Sequence, residues 1–273
     1  MAEELDSVFN DEVPENHRSG VIAVVGRPNV GKSTLINAIL GQKIAIVSPR
    51  PQTTRRTQPA IYTQPDAQLI FMDTPGLHKP QHKLGEYMVA MAERALRDAD
   101  VVLWVVDASA EPAIGDGYIA QLLKTVRPPV VLVLNKIDAA PPELDTSAHL
   151  ALVEHIEMHR VSALNGDGVP ELVAALVNRM PLGPRYYPID QLSTVNLRFI
   201  ASETIREKIM LHTEKEVPHA VAVEIGEYKE REDGLHHIQA TIYVERDSQK
   251  GIIIGQNGSM LKVIGTEARQ ELE

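Results

Sequence analysis

The sequence predicts a doubly wound α/β domain with a mainly parallel sheet, followed by a smaller α+β domain. Three observations carry that prediction. Four apolar runs, VIAVV (21–25), QLIFMD (68–73), DVVLWVVD (100–107) and PVVLVLNK (129–136), lack polar alternation, as strands buried on both faces do. Helical segments lie at 32–40, 84–99, 115–126 and 169–180, so strands and helices alternate as in βαβ units. Beyond residue 192 the period changes. HAVAVEIGEY (219–228) and HHIQATIYVE (236–245) alternate with period two around the charged turn KEREDGL, which predicts an antiparallel hairpin.

Composition bounds the function. Of 273 residues, 44% are hydrophobic and 23% charged, enough for a core, and disorder of the whole chain is excluded. Aromatics are only 4%, so that core must be built from Val, Ile, Leu and Ala. Cysteine is absent, which excludes disulfide scaffolds, thiolate metal sites and cysteine nucleophiles. No apolar stretch reaches the roughly 18 residues of a membrane span. The N-terminal MAEELDSVFNDEVPENHR is acidic and unlike a signal peptide. The net charge of −10 is uneven: residues 1–18 carry −5, 19–185 are neutral and 186–273 carry −5. A broad basic face is missing, so any nucleic-acid contact must be local.

Residues 1–18 read as an acidic flexible leader, 19–181 as the α/β domain, 182–192 as a linker and 193–273 as the second domain. The linker reading rests on PLGPRYYPIDQL (181–192), which holds three prolines and a glycine. In TVNLRFIASETIREKIMLHT (194–213), helical spacing places Phe199, Ile205, Ile209 and Leu211 near one face.

Gly26-Arg27-Pro28-Asn29-Val30-Gly31-Lys32-Ser33 fits GxxxxGK[ST] between a strand and a helix. Glycines let backbone N–H groups wrap phosphates, and the helix N-terminus favours their charge. Gly26, Asn29, Val30, Gly31, Lys32, Ser33 and Thr34 are therefore the candidate phosphate residues, with the Lys32 ammonium on the β- and γ-phosphates and the Ser33 hydroxyl on Mg²⁺. Asp73-Thr74-Pro75-Gly76 closes the second run, where Asp73 can hold Mg²⁺ through water and the Gly76 N–H can face the γ-phosphate. Asn135-Lys136-Ile137-Asp138 ends the fourth. The Asp138 carboxylate can accept from guanine N1–H and N2–H₂, donors that adenine lacks, while Asn135 and the Lys136 stem shape the pocket. Ser162-Ala163-Leu164 could turn N–H groups towards guanine O6. In this order the motifs resemble the GTPase signature of the translation-factor class.

The loop Pro51-Gln52-Thr53-Thr54-Arg55-Arg56 offers a hydroxyl for Mg²⁺, and Thr54 is chosen over Thr53. Where small signalling GTPases carry a water-positioning glutamine, Leu77-His78 stand, so intrinsic hydrolysis should be slow. His78 reads either as a base or as a mobile surface histidine. Asn29 reads either as a ligand for a monovalent cation such as K⁺ or as a bridge within the loop. The candidate catalytic set is Lys32, Thr54, Gly76 and Asn29. A kinase or ATPase acting on a small substrate is the rival reading, which Asp138 disfavours.

In the second domain, Gly255-Gln256-Asn257-Gly258 is a GxxG loop of the kind that clamps a nucleic-acid backbone in KH modules. Residues 248–264 hold Lys250 and Lys262 and no acid. Lys250, Gly251, Ile254, Gly255, Gln256, Asn257, Gly258 and Lys262 are the candidate RNA contacts. The rivals are a helix–turn–helix packing corner and a protein-interaction module.

GRPNVGKSTLINAI, PQTTR, DTPGLH, PIDQLS, IREKI, EVPHAVAVEI and YVERDSQKGIIIGQNG together resemble bacterial Era-type GTPases. The resemblance spans residues 20–273 and implies a Ras-like GTPase domain followed by a type II KH domain. It further implies GTP and GDP binding, Mg²⁺, the 3′ end of 16S ribosomal RNA as partner and a part in assembling the small ribosomal subunit. A cytoplasmic monomer with some peripheral membrane association and no DNA partner is expected. The family's KH domain continues through a further strand, whereas this sequence stops at Glu273, so a sheet lacking its final strand is expected.

Overall fold

The computed structural model describes residues 13–45, 54, 57–77, 83–141, 145–194, 196–230 and 235–273. Residues 1–12 of the acidic leader, Pro51, Gln52, Thr53, Arg55, Arg56, His78 and the turn at 231–234 lie outside the described residues. The chain divides into two compact units between 194 and 195.

In the first unit all four apolar runs form strands: β1 (Arg18–Val25), β3 (Ala67–Asp73), β4 (Val101–Asp107) and β5 (Val130–Asn135). Two further strands, β2 (Gln58–Gln64) and β6 (Glu157–Arg160), flank them in the order β2-β3-β1-β4-β5-β6. Only β2 runs antiparallel to its neighbour. Both are edge strands, whose half-exposed sequences QPAIYTQ and EMHR carry none of the unbroken apolar character of the interior four. The helices are α1 (Lys32–Leu40), α2 (Lys83–Asp98), α3 (Ile114–Leu123), the short α4 (Ser147–Leu150) and α5 (Val169–Arg179).

Period-two alternation divides the core. Ile22, Val24, Leu103 and Val105 face a cluster with Leu35 and Ile36 of α1 and Leu172 and Leu176 of α5. Ala23, Val25, Val102 and Trp104 face the other cluster, with Leu96 of α2 and Ile119 of α3. Helices thus cover both faces. Because β1 has β3 on one side and β4 on the other, chain leaves it in both directions and a crevice opens beyond the strand ends.

The stretch expected as a linker is bonded along the strands of the first unit. Ser19 N donates to Pro181 O at 3.1 Å and Gly183 N to His17 O at 3.0 Å. His17 Nδ1 donates to Gly183 O at 2.8 Å, and Ser19 Oγ to Pro184 O at 2.7 Å. Farther along, the wholly buried Gln68 of β3 accepts from Tyr186 N and Tyr187 N and donates to Tyr187 O. Ile61 N then donates to Leu192 O, and Ser193 Oγ to Pro59 O. The prolines restrict the backbone, and side chains of the sheet satisfy its polar groups.

The second unit contains α6 (Leu197–His212), a 3₁₀ turn at Val217–His219, β7 (Val221–Glu230), β8 (His236–Val244), α7 (Asp247–Ile254) and α8 (Ser259–Leu272). The Asn196 carboxamide caps α6, accepting from Phe199 N at 2.9 Å. β7 and β8 pair antiparallel, as their alternation predicts, with a register shift between Ile225 and Glu227. Ile209, Val217, Val221, Ile253 and Ile264 form the core between helices and hairpin. Lys208–Glu271 and His212–Glu267 join α6 to α8. Two expectations change here. Leu211 is 42% exposed while Ile209 is buried, because two residues along a helix turn the side chain through some 200°. The GIII run belongs to α7, a helix absent from the sequence reading.

Gln68→Ala would leave Tyr186 N, Tyr187 N and Tyr187 O without their present partner. We expect a loss of about 2 kcal/mol or more in stability, read by thermal denaturation, with faster proteolysis between 184 and 191. An unchanged melting temperature would mean that Gln68 does not hold this segment.

Candidate functional site

The phosphate loop leaves β1 and enters α1 through Gly31, whose φ of 96° is left-handed. A Cβ on Gly31 would stand 2.3 Å from Asn135 Nδ2, so glycine is required by both conformation and space. Asn135, 1% exposed, donates to Val30 O at 2.8 Å and accepts from Ala163 N at 3.0 Å. One carboxamide therefore ties the phosphate loop, the end of β5 and the Ser162–Leu164 turn together. Lys32 is buried and donates to Gly26 O at 3.1 Å and Arg27 O at 2.9 Å. Burial lowers its pKa to about 8, with Asp73 opposing and Arg27 adding to the fall. Asn29 has a φ of 64°, and Thr34 lies half-buried in the first turn of α1.

Ser33, Thr54 and Asp73 come together although they stand far apart in the chain. Ser33 Oγ donates to Asp73 Oδ2 at 3.0 Å, Thr54 Oγ1 donates to the same oxygen at 2.9 Å, and the hydroxyls are 3.1 Å apart. Asp73 Oδ1 is buried and has no hydrogen-bond partner. Burial raises the Asp73 pKa, against the pull of Lys32 and of the Thr54 and Ser33 hydroxyls. A carboxylate with an orphaned oxygen beside two hydroxyls is a hard oxygen donor set, which fits Mg²⁺. Among the described residues no three His, Asp or Glu cluster in a way that could hold a metal. That suits an ion held by few protein groups and completed by phosphate and water. Gly76 packs against the loop so closely that a Cβ would lie 2.7 Å from Pro28 N, and Leu77 N donates to Gly26 O at 3.0 Å.

At the other end of the crevice Ser162 Oγ donates to Asp138 Oδ1 at 2.6 Å, which orients an otherwise exposed carboxylate. Lys136 adopts a φ of 65° and donates to Asp107 Oδ2 at 2.6 Å. Burial acts to raise the Asp107 pKa, but hydrogen bonds from Lys136 and Ser109 outweigh it and hold the carboxyl below its ordinary value. The Leu164 side chain is 77% exposed. Asp107 is a partner that the sequence reading missed. Its signal was its place directly opposite Asn135 on paired parallel strands, which only register reveals.

In the second unit Gly255-Gln256-Asn257-Gly258 forms the turn between α7 and α8. Gly255 has a φ of 72° and ψ of 178°, and a Cβ there would lie 2.7 Å from Met260 Cβ. Gln256 and Asn257 are exposed, as are Lys250, Gly251 and Ile254 on α7 and Lys262 on α8. An open backbone turn with two lysines and no acid between 248 and 264 is an arrangement that a polyanion backbone could approach.

A family described as 50S ribosome-binding GTPase matches residues 21–136, and the KH domain family matches 216–273. The chain is 49% identical to the GTPase Era of Lacticaseibacillus paracasei and 50% identical to that of Thermotoga maritima. Each alignment covers 94% of this chain and 87% of the relative. Among solved structures, Era in complex with MgGDPNP and nucleotides 1506–1542 of 16S ribosomal RNA superposes with a TM-score of 0.88 at 40% identity. An Aquifex aeolicus Era variant bound to GDP and AlF₄⁻ gives 0.87 at 40% identity. Both cover 94% of this chain and 89% of theirs.

The depressed Lys32 pKa gives a test. Phosphate bound beside Lys32 restores its charge, so GDP binding at a pH above 8 should take up a fraction of a proton, whereas at pH 6.5 Lys32 is already charged. Calorimetry of GDP without Mg²⁺ in buffers of different ionisation enthalpy measures this. Equal proton uptake at both pH values would contradict the burial of Lys32.

Proposed function

The chain belongs to the Era family of GTPases, and from that premise we propose that it binds GTP and hydrolyses it to GDP and phosphate with Mg²⁺, while its second unit binds the 3′ end of 16S ribosomal RNA during assembly of the small ribosomal subunit. The observation that carries the nucleotide half is the convergence of Ser33, Thr54 and Asp73 beside Lys32, with Asp138 held by Ser162 at the other end of the same crevice. The RNA half is supported by the exposed GxxG turn and by the Era structure that holds 16S nucleotides.

The N–H groups of Asn29 to Thr34 cradle the phosphates and Lys32 turns its ammonium from loop carbonyls to phosphate oxygens. Ser33 and Thr54 would hold Mg²⁺ by their hydroxyls and Asp73 through water, and the ion would supply positive charge to the phosphates. Asp138 reads guanine N1–H and N2–H₂, and Ala163 and Leu164 present backbone N–H groups to O6. Thr54 and Gly76 are the groups that sense the γ-phosphate, and its loss releases them. Leu77 is 1% exposed, its amide bonded to Gly26 O, so it does not orient water and the intrinsic rate is slow. Asn29, held at a φ of 64° in the loop, would offer its amide oxygen to K⁺ if a monovalent cation takes part. No described helix is long and apolar enough to cross a membrane. Cytoplasmic residence, with partial peripheral association at the inner face of the cell membrane, rests on the family resemblance alone.

Asp138→Asn should move preference from guanine towards xanthine nucleotides, because an amide pairs with the exchanged donor and acceptor. Competition binding with GDP and XDP measures it, and an unchanged preference would remove Asp138 from the base site. Fluorescence anisotropy of a short RNA copying the 3′ end of 16S ribosomal RNA tests the second half. Binding tighter with a non-hydrolysable GTP analogue than with GDP is expected, and Gly255→Asp should weaken it by charge and crowding while leaving GDP affinity near normal. Absence of RNA binding in both states would favour a protein-binding role for the second unit.

A further inference from the structure

One ion pair, its carboxylate buried and its guanidinium a quarter exposed, has no part in the mechanism above. Arg27, the second residue of the phosphate loop, directs Nε to Asp116 Oδ2 at 2.7 Å. Asp116 stands in the first turn of α3, is fully buried, and accepts the Ala113 amide at 2.9 Å on the same oxygen. Its Oδ1 is buried with no hydrogen-bond partner. The Arg27 stem crosses Gly115, where a Cβ would stand 2.7 Å from Cδ and 3.1 Å from Cγ. A desolvated carboxylate is costly, and an apolar pair of similar volume often packs as stably or better. Packing alone therefore gives no reason for these residues.

Their position does. The Arg27 carbonyl is one of two that accept from Lys32. Its neighbours on either side are Gly26, whose carbonyl accepts from Leu77 N, and Pro28, against which Gly76 packs. Holding Arg27 from α3 thus fixes the three residues that carry both the shelf for Lys32 and the seat for Gly76. We propose that Arg27 and Asp116 are positioning residues for GTP hydrolysis, pinning Gly26–Pro28 so that Lys32 and Gly76 stand in register on the phosphates. This rests on the GTPase reading of the site. Ground-state affinity is shared among many loop amides and Asp138, whereas turnover depends on placement of the γ-phosphate contacts to a fraction of an ångström.

The test compares Arg27→Met, Asp116→Asn and Gly115→Ala with the natural chain by single-turnover GTP hydrolysis, GDP affinity and amide exchange of residues 26–30 in the nucleotide-free protein. In Arg27→Met the hydrolysis rate should fall about ten-fold or more while GDP affinity changes less than about three-fold. Asp116→Asn keeps one oxygen as acceptor for both Ala113 N and Arg27 Nε and removes only the charge, so it should show a smaller part of the split. Gly115→Ala, which displaces the Arg27 stem without removing a charge, should show part of it. Arg27→Lys should recover part of the rate, and Arg27→Met combined with Asp116→Leu should lose no more than Arg27→Met alone. Loop amides should exchange faster in each impaired variant. The proposal is overturned by a rate within about two-fold of the natural chain, by equal losses in rate and affinity, or by a lowered melting temperature with unchanged rate per folded molecule. If the natural chain fails to turn over GTP, the GTPase reading falls, and amide exchange still decides whether the pair pins the loop.

Discussion

The first unit depends on the Asn135 carboxamide, which bridges Val30 O and Ala163 N in a nearly solvent-free position. Three loops from separate strands must converge if one ligand is to touch them all. Each ends in backbone N–H and C=O groups that the sheet no longer satisfies. A side chain with one donor and one acceptor, placed at the end of β5, satisfies one group from each of the two other loops. The geometry it imposes brings glycine to position 31, because no Cβ fits against its amide nitrogen.

Around that junction the charges are paired or hydrogen-bonded at the margin of the core. Lys32 rests on two carbonyls, Asp73 takes two hydroxyls, Asp107 takes Lys136, and Asp116 takes Arg27. Two of these carboxylates keep an oxygen without a partner, Asp73 Oδ1 and Asp116 Oδ1. For Asp73 the unused lone pairs point to a cation. For Asp116 the other oxygen already holds Arg27 Nε and the Ala113 amide. Both cases exchange local stability for a prepared site, which suits chemistry that relies on positioning and charge.

Much of this was legible in the residues. Four unbroken apolar runs marked four interior strands, since only a strand covered on both faces lacks polar alternation. GRPNVGKS, DTPG, NKID and SAL named the loops because each type of contact demands particular atoms. β2 and β6 escaped notice because edge strands are half wet and their sequences look like loops. Leu211 departs from the face of Ile209, because two residues along a helix turn the side chain through some 200°. The segment 181–192 has the prolines of a linker, yet Gln68 and Ser19 bond it along the strands of the first unit, a fact that composition does not carry.

The sequence by itself determined the alternation of strands and helices, the GxxxxGKS turn between a strand and a helix, the Asn135–Asp138 turn at a strand end and the GxxG turn. All are encoded in runs shorter than about fifteen residues, where periodicity and backbone demands act locally. Tertiary structure alone decided which distant groups met: Ser33 and Thr54 on Asp73, Asn135 on Val30, Arg27 on Asp116 and Gln68 on Tyr187. Those pairings depend on strand order and register. A parallel sheet brings together strand ends that are separated in the chain by a whole helix and its connections, and no local pattern records that distance.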